Sequence, residues 1–109
     1  MRIGELNKRV TILKKQKTGY FEEDKFNPTF DVWSKIVNLH GKEFIEAQKV
    51  NPNISRKVTI RYIKELDTSI NPNATVDHRI EYKGIQYNIL YADNIREENR
   101  FIELLLESI

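Results

Sequence analysis

The 109-residue chain contains no cysteine. That single absence removes disulfide staples, Cys-ligated zinc and thiol redox chemistry together. Glycine is scarce as well, and its four copies, Gly4, Gly19, Gly41 and Gly84, are scattered, so no glycine-rich loop exists to cradle a phosphate. No run of about 18 apolar residues is present that could span a bilayer. The start MRIGELNKRV also lacks the apolar stretch of a secretory signal, so a soluble chain with no membrane partner is expected. An excess of one charge is missing too: 18 basic residues face 16 acidic ones, leaving +2 in a chain that is 31% charged. Such a balance offers no dense basic face for tight duplex binding and serves solubility first.

The polar inventory is equally thin in catalytic patterns. The two histidines, His40 and His78, have acidic neighbours in Glu43 and Asp77 but no HExxH or related spacing, and strand-end histidines are ordinarily inert surface residues. The pairs Glu22–Glu23 and Glu97–Glu98 fall in polar loops, without the burial that lifts a carboxyl pKa into a catalytic range. No catalytic residue, metal ligand or cofactor is expected, and the chain reads as a non-enzyme.

What is present is β-patterning in a single domain, residues 1–109, large enough for one core. Val10 and Ile12 share one face of a strand over residues 9–14, preceded by Ile3 and Leu6 at the spacing of one helical turn. A polar stretch with Gly19 and Pro28 predicts a long loop over 16–29. In FDVWSKIVNLH, Phe30, Val32 and Ile36 lie on one strand face and Trp33, Val37 and Leu39 on the other. Helical spacing also fits part of that run, but a strand is the better reading, and a strand apolar on both faces meets a second surface besides its core. Val58, Ile60 and Tyr62 alternate with Thr59, Arg61 and Ile63, and a turn-rich connection around Pro72 follows. Ile80 and Tyr82, then Lys83-Gly84, then Ile85, Tyr87 and Ile89 spell a hairpin with a two-residue turn. The last segment, NRFIELLLESI, suits a helix or a strand; a closing strand is preferred because it removes an exposed sheet edge. About six strands without βαβ alternation predict a mainly β fold: a small antiparallel β-barrel with one short helical segment and long loops, a sandwich being the other arrangement.

Three features invite a binding role. Tyr62, Tyr82, Tyr87 and Tyr91, with Arg61, Arg79 and Lys83 among them, suit a platform that stacks single-stranded nucleic acid. The tyrosines are also in phase with Ile60, Ile80, Ile85 and Ile89, which places them on the inward face instead. Lys14, Lys15 and Lys17 are either a solvated strand end or a patch facing an acidic partner or DNA. The segment 41–56, a loop or short helix inserted between two strands, carries Lys42, Lys49, Asn51, Asn53 and Arg56, with Lys57 just beyond. These cations can meet phosphates without reading sequence, or be offset by Glu43 and Glu46 along a short helix.

Taken in order, MRIGELNKRVTI, DVWSKIVNL, GKEFIEAQKV, VTIRY, HRIEYKGIQYNI and the closing NRFIELLLES resemble the phage head-tail adaptor family, the head closure or stopper proteins of long-tailed phages. The likeness runs over nearly the whole chain. It implies a structural virion protein, assembled in the host cytoplasm, that forms a homo-oligomeric ring, commonly twelve-fold, at the head–tail junction. Its implied partners are the portal or adaptor ring, a tail-completion or tail-tube protein, and packaged double-stranded DNA touched without sequence preference. In the best-known stopper of that family the loop between the second and third barrel strands projects into the DNA channel and closes it, and the resemblance carries that role onto residues 41–56. A closed ring needs a heterologous interface, one patch on each copy meeting a different patch on the next. Trp33, Val37 and Leu39, with Tyr20 and Phe21 of the preceding loop, are the expected patch, unless that wall packs under the loop of its own chain.

Overall fold

The computed structural model describes residues 3–16, 25–38, 45, 46, 48, 49 and 54–109. Six strands carry the fold: β1 (Lys8–Gln16), β2 (Lys25–Asn38), β3 (Ile54–Arg61), β4 (His78–Tyr82), β5 (Ile85–Asn94) and β6 (Phe101–Ser108). They close into a barrel in the order β1-β2-β3-β6-β5-β4, with β4 returning to β1 and every neighbouring pair antiparallel. The expected small barrel is thus the observed one, and its last segment is a strand that completes the wall. Closure gives every strand a neighbour on both sides and so shortens the unpaired backbone that another chain could extend, although β2 meets β3 only over residues 34–38.

The interior follows from period-2 alternation of β-branched and leucine side chains. Val10, Ile12, Val58, Ile60, Ile80, Ile89, Ile102, Leu104 and Leu106 are all buried in one cluster. Register places them in layers: Ile12 faces Phe30 on one side and Ile80 on the other, and Val58 faces Ile36 and Leu104. Phe30, Val32 and Ile36 of β2 are half-buried against this cluster, so the strand reading of that segment holds over the helical one.

Three irregularities shift boundaries. Residues 25–29, expected in a loop, belong to β2: Pro28 sits opposite Leu13 across a bulge that skips Thr29. A bulge tolerates a residue without an N–H, which is why proline did not end the strand. Likewise β3 starts at Ile54, a buried residue, so 54–56 leave the expected 41–56 insertion and join the barrel. In β5 the register shifts between Ile89 and Tyr91, making Leu90 the extra residue. Ala92 then takes the inward position and Tyr91, expected inside, is turned out.

The β4–β5 hairpin turns on Lys83 (φ 52°) and Gly84 (φ 79°), the two positive values that a type I′ turn requires. The remaining helical structure is short: 3-10 turns at Ile3–Glu5, Lys64–Leu66 and Ile95–Glu97, the helix Ala74–Asp77, and helical residues Ile45, Glu46, Gln48 and Lys49. The connection from β3 to β4 covers one barrel end, where Leu66 is fully buried in the core cluster. His78, expected at the surface, is buried; its Nδ1 lies 2.8 Å from the Ala74 carbonyl, closing the helix onto the start of β4.

Candidate functional site

At the covered end the polar groups serve structure. Asp67 is buried and accepts hydrogen bonds from Tyr62 Oη (2.6 Å), Ser69 Oγ (2.7 Å) and the Ser69 backbone N–H (3.0 Å). The Ser69 and Tyr62 donors hold its carboxyl below the usual range, and the same Asp67 contact pushes the Tyr62 phenol up. This fixes the β3–β4 connection and uses Tyr62 as a strut, not as a stacking platform.

The opposite end is where Lys8 begins β1, Tyr82 ends β4, Ile85 begins β5 and Ile54 begins β3. Here the inward positions turn from apolar to cationic and aromatic. Lys8 is in phase with Val10, Arg56 with Val58, and Tyr82 with Ile80. These residues, with Ile36, Lys83, Ile85 and Tyr87, line a cleft of about 310 Å³ at the barrel mouth. The Arg56 guanidinium lies over two rings, 5.6 Å from the Tyr82 centroid and 5.7 Å from that of Tyr87, while Lys83 Nζ is 5.3 Å from Tyr82. Such stacking positions a guanidinium while leaving its in-plane donors available.

The site residues expected from sequence therefore separate. Arg56 points into the mouth, whereas Lys57, in register with Val37, lies on the outer wall. Lys49 is exposed on its helical segment. Lys42, Asn51 and Asn53 lie outside the described residues, as do Leu39, Tyr20, Phe21, His40 and Lys17. Most of the loop expected at 16–29, residues 17–24, lies outside them too. The tyrosines do not assemble as one platform: Tyr62 is tied to Asp67, Tyr82 and Tyr87 carry cations, and Tyr91 faces outward.

The outer walls hold two aromatic patches. On β2, Trp33 is 52% exposed beneath Arg9 (5.1 Å to its ring), with Val37 half-buried along the same face. On β5, Tyr91 is 53% exposed beside Leu105 of β6, and the next outward pair is Asp93 opposite Glu103. In the closed order β2 and β5 are three strands apart in either direction, so these patches lie on opposed walls. Sequence reasoning missed Tyr91 because unbroken alternation puts it inside; the only signal was the pair Leu90-Tyr91 ahead of a small Ala92.

Among the described residues no group of three or more His, Asp or Glu side chains could hold a metal ion. Fold and surface thus define a small closed barrel with opposed outer patches and one cationic mouth, the build of a structural or binding module. The family model for the phage head completion protein matches residues 1–109, and the chain belongs to that family, a structural component of the virion. No curated protein matches it. Solved structures share its fold, two of them as follows. One is a chain in the virion of a native gene transfer agent particle, 10% identical, with a TM-score of 0.62 over 95% of this chain and 96% of that one. The other is protein SF1141 from Shigella flexneri 2a, 20% identical, with a TM-score of 0.66 over 99% of this chain and 96% of that one.

Proposed function

We propose that the chain forms a homo-oligomeric ring at the head–tail junction, below the portal or adaptor ring, where it closes the DNA channel after packaging and offers a docking surface to the tail. The observation that carries this reading is whole-chain membership of the head completion family. The opposed walls support it, because a closed ring needs two different patches on each copy, facing roughly opposite ways. Trp33 with Val37 supplies one patch and Tyr91 with Leu105 the other, the aromatic anchors on which interfaces commonly depend.

Channel closure is assigned to the connection between β2 and β3. Ile54–Arg56 belong to the barrel, so the connection proposed for this role runs over 39–53 and no longer includes 54–56. Replacing residues 43–53 by a short Gly/Ser linker tests the assignment, since the substitution leaves Ile54 and the strand ends in place. Heads made with this variant are expected to join tails poorly and lose their DNA. Particles that keep DNA would count against closure, and wild-type particles that lack the protein would remove the ring reading altogether.

A further inference from the structure

We infer that the barrel mouth formed by Lys8, Arg56 and Lys83 is a binding site for the phosphate backbone of nucleic acid, read without sequence preference. Among the described residues three cations line the cleft and no carboxylate does. They come from three different strands or turns, so folding, not sequence proximity, gathers them. Among the described residues the Arg56 side chain makes no ion pair or hydrogen bond; its guanidinium lies over Tyr82 and Tyr87. A guanidinium stacked in this way keeps the in-plane N–H fork that matches two phosphate oxygens.

The arrangement also selects backbone over base. Stacking a nucleobase needs a free aromatic face. Tyr87 is buried, and the Tyr82 ring carries both Arg56 and Lys83. What the mouth offers a strand is positive charge and donors, the chemistry that positions a phosphate backbone and carries no sequence information. The inference rests on the proposed ring only for the source of the nucleic acid, packaged duplex passing the root of the 39–53 connection. The site itself belongs to one barrel.

The test uses the whole chain, titrated at low salt with a short mixed-sequence DNA duplex, the corresponding single strand, and inorganic phosphate. If all three cations meet phosphates, log K falls against log salt with a slope of about −2.7 for the duplex. Lys83→Asn and Arg56→Gln are each expected to lower that slope by about 0.9, whereas Lys64→Gln, at the far end of the barrel, leaves it unchanged. Lys83→Asn keeps a residue that accepts positive φ, so its barrel folds even if Arg56→Gln does not. Amide shifts confined to residues 8, 56 and 82–85 complete the expected result. Equal loss on Lys64→Gln, binding of single strand alone with movement of the Tyr82 ring signals, or saturable phosphate binding without duplex binding would each overturn the assignment. Those outcomes leave the ring reading untouched, since particle composition and DNA retention decide that separately.

Discussion

Gly84→Ala isolates one physical term in this fold. A Cβ built at Gly84 meets no heavy atom within 4 Å, so the substitution creates no clash. What it does is force an L-residue to hold φ near +79° in the β4–β5 turn. That left-handed conformation costs about 1–2 kcal/mol for a residue with a Cβ, slightly offset by a less flexible unfolded chain. For a domain of this size each kcal/mol moves the midpoint of thermal unfolding by roughly 4–8 °C, so a fall of up to about 16 °C, and of at least a few degrees, is expected by circular dichroism. Gly4→Ala is the matched control: a Cβ there also meets nothing within 4 Å, but its φ is not in the left-handed range. That change should leave the midpoint level or raise it. If Gly84→Ala were as harmless as Gly4→Ala, the type I′ description of the turn, and the placement of Lys83 beside the mouth that depends on it, would be wrong.

Other outcomes follow from the same reasoning. Leu104→Ala, at a fully buried position, should cost about 2–5 kcal/mol in chemical denaturation, while Leu105→Ala on the outer wall stays within about 1 kcal/mol. Tyr91→Ser should leave the stability of the isolated chain within about 0.5 kcal/mol yet prevent its incorporation into particles, measured by mass spectrometry of purified virions. Asp67, whose carboxyl is held low by Ser69 and Tyr62, contributes stability that is complete above its ordinary value of 3.8 and lost as pH falls through the lower folded value. Asp67→Asn should therefore flatten the acid limb of the stability profile below about pH 4 without changing its shape near neutrality. Glu97→Gly relieves a positive φ of 54° in the β5–β6 connection and is expected to stabilise the domain by about 1 kcal/mol.

The sequence by itself determined the strands whose chemistry is local. Alternation marks Val10 and Ile12, Val58 and Ile60, Ile80 and Tyr82, because one face of each strand must be apolar wherever the other meets solvent. Lys83-Gly84 announces its hairpin because few residue pairs accept two positive φ values in succession. The family signal was legible as well, spread over many weak segments in the right order. Only the tertiary structure decided features that depend on a partner strand. Pro28 could remain in β2 because a bulge across from Leu13 freed it from donating a hydrogen bond. Tyr91 faces outward because Leu90 occupies an extra position against β6, a shift that exists only once β5 and β6 are paired. His78 is buried because the Ala74–Asp77 helix folds back over it. The mouth has the same origin: Lys8, Arg56 and Lys83 are remote in sequence, and closure of the barrel alone brings their charges together around two tyrosines. Local patterning specifies which face of a strand is apolar, but register and closure specify which side chains become neighbours.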